Sequence, residues 1–389
     1  MNPEVFQWAR ESSGLSVDEA AHALELGSAE KLIKIERGEE VPTRSVLLRM
    51  AKRYRRPLLT FYLPRPPRAG FRGQDFRTLP AKPPVSDEAL LDALIRDVNA
   101  RHQLLKSALE DEGALEPLPY VGSKTLASDP ARVAESIALR LGVNRDAFRA
   151  QKTTEAAFSY LRAGAEQAGV FVLLVGDLGN YHSALPVETY RGFSIADPIA
   201  PFIVLNDQDA RSAWSFTLLH ELAHIWLGQS GISGGRDDQE VEKFCNEVAA
   251  AFLMDAVELD PLADALQGED LGLVDELSEF AGRRNLSRKM VAYALLKAGL
   301  VSHARWARLD AELTNRWLKE KQKRKADAKT KDGAPDYYTV RRHRLGSAML
   351  SAVRRNLSNG NLTVTKAAKV LGVKPRSVTS LLSKPPALG

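Results

Sequence analysis

Apolar residues follow helical spacing over most of the chain, and only short runs have the pattern of strands. Helical periodicity is clear in the following ranges: 3–60 (four short helices), 86–112, 128–168, 210–227, 239–253, 270–300 and 337–383. Three β-rich runs, at 170–175, 191–195 and 202–205, predict strands, with a turn at Asp197-Pro198. The pattern therefore predicts a mainly α, multidomain protein with one small sheet.

Signals for helix ends divide the first 60 residues into four short helices. Ser16 followed by Glu19 forms a capping-box pattern, and Ser28 is placed to cap the third helix, which Gly38 ends. Pro42-Thr43 opens the fourth helix. Tight breaks between short helices predict a compact helical domain.

Composition shifts mark the domain boundaries. We predict a helical domain over 1–63, a Pro/Arg-rich linker over 64–84, an α+β domain over 85–316, a Lys-rich linker over 317–336 and a basic helical unit over 337–389. A chain of 389 residues is too long for one ordinary domain, which agrees with this division.

Composition also excludes several classes of protein. With 44% hydrophobic and 26% charged residues, the chain is neither fibrous nor extensively disordered. Cys245 is its single cysteine, so an internal disulfide is impossible, which fits a reducing compartment. Neither a membrane-spanning run nor a secretory signal is recognisable, and we expect a cytoplasmic protein.

The net charge of +5 conceals a strong segregation. Residues 1–72 carry +4, residues 73–316 carry −12 and residues 317–389 carry +13. Basic ends around an acidic middle suggest different partners, with nucleic acid the first expectation for the ends.

The most specific chemical signal is His220-Glu221-Leu222-Ala223-His224, an HExxH pattern with apolar flanks. On a helix, positions i and i+4 share a face, so His220 and His224 can reach one Zn²⁺. Glu221 can then take a proton from a water whose pKa the zinc lowers to about 7. The motif predicts a zinc peptidase with Glu221 as general base.

A third metal ligand must come from another element. Residues 239–253 form a helix in which Glu242, Asn246 and Ala249 share one face, and Glu242 is our preferred ligand. Glu247 and Cys245 are the alternatives. For Asn246 we predict a hydrogen bond that orients a metal ligand.

At these residues the chain resembles the ImmA/IrrE family of bacterial metallo-endopeptidases. The resemblance lies in residues 192–206, 216–224 and 242–254, although Asp255 stands where the family often has Pro. It implies a gluzincin-like, α+β site with a small, partly antiparallel sheet, and Glu242 as the acidic ligand. It also implies cleavage of a specific protein, typically a helix-turn-helix repressor.

The N-terminal domain resembles the Cro/C1-type (XRE) helix-turn-helix, through residues 14–21 and 35–43, and continues as in the version fused to ImmA/IrrE peptidases. Its third helix would enter the major groove, with DNA contacts from Ser28, Lys31, Lys34 and Arg37. The C-terminal run 362–382 reads as helix, Gly372 turn and helix, with Thr363 or Thr365 as cap. It is a second candidate for DNA contact.

The expected function is zinc-dependent cleavage of a protein partner, together with DNA binding through the helix-turn-helix of the chain itself. Tyr181, His182 and Tyr190 are unranked candidates for a donor to the oxyanion. Two alternatives are a DNA-binding regulator that uses the peptidase fold as a sensor, and an antitoxin-like component.

Overall fold

A computed structural model describes residues 1–67, 84–113, 116–179, 183–230, 237–330 and 336–383. The chain divides into two compact units. The first lies within Met1–Arg72, Thr78–Ala100 and Asp177–Tyr190, and the second takes in Arg101–Gly176 and Arg191–Gly389. Most of the predicted Pro/Arg-rich linker, together with Tyr181 and His182, lies outside the described residues. Within them, no helix has the length and apolar character needed to cross a membrane.

Helices dominate the described residues, which confirms the predicted fold class. In the first half of the chain they are α1 (Pro3–Glu11), α2 (Val17–Ala23), α3 (Ala29–Arg37), α4 (Arg44–Arg53), α5 (Val85–Glu110), α6 (Pro130–Leu141), α7 (Arg145–Arg149) and α8 (Thr154–Gln167). In the second half they are α9 (Arg211–Leu227), α10 (Asp237–Leu253), α11 (Ala263–Leu266), α12 (Asp270–Arg283), α13 (Arg288–Lys297), α14 (His303–Thr330), α15 (Tyr337–Leu345), α16 (Ser347–Ser358), α17 (Val364–Leu371) and α18 (Val378–Leu382). Short 3-10 helices cover Leu58–Tyr62, Ala256–Leu262 and Pro375–Ser377.

In the first unit, α1 to α4 close around an apolar core that includes Phe6, Leu24, Leu32, Ile35 and Met50. The predicted capping box at α2 is confirmed, since Ser16 Oγ accepts a hydrogen bond from the Glu19 amide and Glu19 reaches back to the Ser16 amide. The two charged groups of Arg10 and Glu36 form a two-pronged ion pair at 2.8 and 3.0 Å, tying α1 to α3.

The prediction that Ser28 caps α3 is confirmed for its position but not for its hydroxyl. Ser28 occupies the cap position in extended backbone, but its side chain makes no capping hydrogen bond. The hydroxyl is therefore not used by the helix end. At the other end, Gly38 has φ +78° and ends α3 as predicted, because a left-handed conformation there favours glycine.

In the second unit, the three predicted strands form one sheet in the order β1-β3-β2. The strands are β1 (Phe171–Leu174), β2 (Gly192–Ile195) and β3 (Phe202–Leu205). β1 is parallel to β3, and β2 is antiparallel to it, with Gly192 opposite Leu205. This confirms the partly antiparallel sheet. The Asp197 carboxylate holds the turn between β2 and β3, because it accepts hydrogen bonds from the Ile199 and Ala200 amides.

The C-terminal helices belong to the same compact unit as the sheet. Arg162 of α8 is buried and donates to the carbonyl oxygens of Val172 in β1 and of His343 in α15. It also pairs with Glu166 at 3.0 Å. Glu166 in turn accepts hydrogen bonds from the Ser347 and Ala348 amides at the start of α16, where a negative charge is favourable. The two side chains thus fasten α15 and α16 to β1 and α8.

Replacing Arg162 with Ala should loosen this attachment, because it leaves the Glu166 carboxylate buried without its cation. Breaking such a pair typically costs about 3–5 kcal/mol. We expect faster hydrogen exchange at the α15 and α16 amides, measured by mass spectrometry on the full chain. Arg132→Ala, at an exposed arginine of α6, is the matched control. Unchanged exchange in Arg162→Ala would show that the attachment does not depend on this residue.

Candidate metal centre

Helix α9 is buried along nearly its whole length, which matches the absence of a polar face in its sequence. Its apolar residues pack on α10, α8, α6 and the sheet. Trp226 stacks on Tyr120 with ring centroids 4.4 Å apart, and its indole N–H donates to Ser136. Gly228, with φ +68°, ends the helix. Because α9 packs against several other elements, the residues His220 to His224 are held in a fixed position.

Three side chains of α9 and α10 meet at one point. His220 Nε2 lies 3.1 Å from Glu242 Oε2, His224 Nε2 lies 3.2 Å from Glu242 Oε1, and the two Nε2 atoms are 3.1 Å apart. All three residues are buried. Among the described residues, this is the group of His, Cys, Asp and Glu whose atoms are close enough to hold one metal ion.

Asn246 is one helical turn beyond Glu242 and contacts the first histidine. Its Oδ1 lies 3.0 Å from His220 Nδ1 and can accept a hydrogen bond from it. A neutral imidazole that donates from Nδ1 to this oxygen keeps its Nε2 lone pair toward the cluster. The contact supports the orienting role of Asn246, which stays a prediction.

The charges of the cluster support one another. Burial alone would raise the pKa of Glu242, but the adjacent imidazoles of His220 and His224 hold this pKa well below its usual range. Burial alone would lower the pKa of His224, but Cys245, Glu242 and Glu221 raise it well above the ordinary value. The carboxylate is thus ionised at neutral pH and offers only acceptor oxygens.

Glu221 is buried between α9 and strand β2. A Cβ atom added to Gly192 would lie 3.0 Å from Glu221 Oε1 and 2.8 Å from Thr217 Cγ2. The strand can approach the Glu221 carboxylate this closely only because residue 192 lacks a side chain. Gly192 and Thr217 therefore pack against the Glu221 side chain.

We expect Gly192→Ala to reduce proteolysis by about 10- to 100-fold, since a displacement of about 1 Å at a reacting group costs this much. Zinc content should not change, because the metal ligands are not displaced. Thr217→Ser, which removes the nearest methyl group, should restore part of the activity in the double variant. Gly282→Ala is the control, because nothing lies within 4 Å of its added Cβ. Full activity in Gly192→Ala would contradict the close packing.

The two alternative ligands occupy different surroundings. Glu247 is half-exposed on another face of α10, 3.8 Å from Lys297. Cys245 is buried beside His224, and burial raises the pKa of its thiol. Tyr190, one candidate for an oxyanion donor, is buried in the first unit.

The four predicted DNA contacts are all exposed on or beside α3. Ser28, Lys34 and Arg37 face solvent, and Lys31 does so while lying 3.7 Å from Glu40. An exposed ion pair of this kind contributes about 0–1 kcal/mol, so it can open at little cost. Leu32 and Ile35 turn into the core, so the helix presents its polar face outward.

The sequence patterns did not predict the roles of Gly192, Thr217 and Arg162. Gly192 could have been noticed as a glycine inside a β-rich run, which often marks a close approach of backbone. Thr217, four residues before Glu221, lies on the same face of α9. Arg162 gives no such signal, because an arginine in a helical pattern normally reads as surface.

Comparison with known families places this geometry in context. Residues 167–296, which include the cluster, Glu221 and Asn246, match the IrrE N-terminal-like domain of the Peptidase_M78 family. Residues 4–59 match a helix-turn-helix domain. No curated protein and no solved structure gives a significant match. Over these residues the chain is thus similar to a helix-turn-helix domain and to a metallopeptidase-type, IrrE N-terminal-like domain.

Proposed function

We propose that this protein is a zinc-dependent endopeptidase that cleaves a specific protein partner, a helix-turn-helix repressor, and that binds DNA through its own helix-turn-helix. The observation that carries the proposal is the convergence of His220, His224 and Glu242 beside a buried Glu221. A family match alone would leave open whether the site of this chain is complete.

The spacing of the three ligand atoms suits zinc. Tetrahedral coordination at about 2.0–2.1 Å places ligand atoms about 3.3 Å apart. The two Nε2 atoms are 3.1 Å apart, and each lies 3.1 or 3.2 Å from one of the two Glu242 carboxylate oxygens. Glu242 Oε2 supports the same interpretation: it is buried and makes no hydrogen bond of normal geometry within the described residues. Two imidazoles with one carboxylate are also a common catalytic zinc set. When bound, zinc would polarise the peptide carbonyl and lower the pKa of water to about 7.

The side chains of this protein divide the remaining work. Asn246 orients His220, and Glu242 supplies the negative charge that the imidazoles lack. Glu221 accepts the proton of the attacking water on its carboxylate and passes it to the leaving amine. Burial against Gly192 and Thr217 keeps this carboxylate in one position, so little reorganisation is needed when the proton moves.

DNA binding is proposed from the exposed polar face of α3. Lys34 and Arg37 suit contacts with phosphate or guanine. Ser28 is exposed, and its hydroxyl makes no capping hydrogen bond to the helix. Binding near a regulated promoter would bring the peptidase close to a repressor that is bound there.

Chelation tests the peptidase. The full chain, incubated with purified helix-turn-helix repressors of the same cell, should cut one of them into defined fragments. A chelator should stop the reaction, and zinc added back in slight excess should restore it, as followed by gel electrophoresis and mass spectrometry. Cleavage that continues in the metal-free protein would contradict the proposal. Zinc binding and DNA binding without cleavage would favour the regulator that uses this fold as a sensor.

A further inference from the structure

The C-terminal helices have an extreme charge composition. Residues 337–383 contain nine Lys and Arg and no Asp or Glu. This segment folds into α15 to α18 and packs on α8 and β1 in the second unit. The proposed peptidase reaction does not use these cations, so their individual contacts show what they do.

Three of the arginines satisfy the ends of helices. Arg341 donates to the carbonyl oxygens of Leu371 and Gly372 at the end of α17. Arg342 and Arg354 donate to the last carbonyl oxygens of α18, on Leu381, Ser380 and Leu382. The negative end of a helix favours a cation, so these arginines stabilise the fold.

Two more arginines attach the C-terminal helices to the rest of the second unit. Arg344 pairs with Asp207 at 2.7 Å, and Arg355 pairs with Glu112 at 2.9 Å. Five of the nine cations are therefore accounted for by the fold.

The other four lie together in sequence on α17 and the turn that follows it. Lys366, Lys374 and Arg376 are exposed, and no described carboxylate lies within ion-pair distance of them. Lys369 is exposed one turn after Lys366 on the same face. The opposite face of α17 is buried through Ala367, Ala368, Val370 and Leu371. The four exposed cations give this surface a single sign of charge.

The backbone beneath them is a tight helix–turn–helix. Thr363 caps α17, and Gly372 ends it with φ +60°. The chain then turns through the 3-10 helix Pro375–Ser377 directly into α18. Arg376 in this turn and Thr379 and Ser380 in α18 are exposed, and their guanidinium and hydroxyl groups are typical partners of phosphates and base edges.

We propose that the outer face of α17 and α18 is a second binding surface for duplex DNA, separate from the N-terminal helix-turn-helix. The second helix of such a hairpin fits the major groove, while the cations of the first helix and of the turn neutralise phosphates. The surface is complementary to a polyanion because all its charges are positive. The proposal does not rest on peptidase activity.

The test measures binding of the full chain to a fluorescent duplex of about 30 bp at about 50–200 mM salt, by anisotropy. Lys366→Glu/Arg376→Glu should weaken binding at least tenfold and reduce the slope of log K against log salt by about 2, since each lost phosphate contact contributes about 0.9. Arg132→Glu/Lys152→Glu changes net charge equally at exposed sites elsewhere, and should leave the slope nearly unchanged.

A third variant, Lys34→Glu/Arg37→Glu, separates the two surfaces. Weaker binding in both the α3 and the C-terminal variants supports two DNA-binding surfaces. Loss of affinity only in the α3 variant would overturn the proposal and leave the N-terminal assignment intact. An equal loss of affinity in the charge control would show that only net charge matters, and would overturn the proposal. Better competition by a single-stranded RNA than by the duplex would also overturn it. Should the reversed variant not fold, Lys366→Gln/Arg376→Gln should show a smaller decrease in the same slope, and no decrease would count against the surface.

Discussion

Glu221→Gln is expected to bind zinc normally and to cleave the partner protein about 10²- to 10⁴-fold more slowly, the range typical of a lost general base. Glutamine has nearly the shape of glutamate, so it can occupy the same buried position against Gly192 and Thr217. Its amide is neutral and cannot take up the proton of the attacking water. Because Glu221 lies outside the ligand cluster, the metal ligands should be unaffected.

Two measurements on the same protein separate chemistry from metal binding. Zinc content after dialysis reports on the ligands, and single-turnover cleavage with excess enzyme reports on the chemical step. Glu221→Asp is the companion variant, because it keeps a carboxylate but withdraws it by one methylene group. It should retain more activity than Glu221→Gln. A Glu221→Gln protein that cleaves at the parental rate would remove Glu221 from the mechanism.

Much of the site could be predicted from the sequence because its signals are local. His220 and His224 are four residues apart, so one helix is enough to bring them together. Glu242 and Asn246 follow the same rule on the next helix. The caps at Ser16 and Thr363 are equally local, since each involves a backbone amide three residues away.

The remainder depends on contacts between distant parts of the chain. The strand order β1-β3-β2 places the second strand at the edge, and periodicity does not specify that order. Arg162 and Ser347 are 185 residues apart in the sequence, yet both contact Glu166. No local pattern indicates that the C-terminal helices pack on the sheet. The predicted domain boundaries, which separate these helices from the α+β domain, stay a prediction.

Ser28 shows the limit of a cap rule. A serine before a helix favours capping, but the side chain must also adopt a rotamer that reaches the amide two or three residues on. In this protein it does not. The prediction of the element was correct, and only the role of the terminal hydroxyl was wrong, because that role depends on one torsion angle.

Glu242→Gln is expected to reduce zinc affinity by more than 10–100-fold, the loss typical when only a partner of a ligand is changed. The substitution keeps the size of the side chain but removes the negative charge that faces both Nε2 atoms at 3.1 and 3.2 Å. Affinity can be measured by competition with a coloured chelator. The rise in thermal midpoint on adding zinc should shrink in parallel, because stabilisation by a ligand follows its dissociation constant.

The same helix provides the controls that decide between the three candidate ligands. Glu247→Gln removes an equal charge beside Lys297, and Cys245→Ala removes the buried thiol next to His224. Both variants should bind zinc within a few-fold of the parent, because neither group belongs to the cluster. If Glu247→Gln or Cys245→Ala lost zinc while Glu242→Gln kept it, the ligand assignment would be wrong even though the two histidines remained correct. Since the three variants change neighbouring positions on one helix, a general weakening of α10 would affect them all, whereas a ligand effect is confined to Glu242.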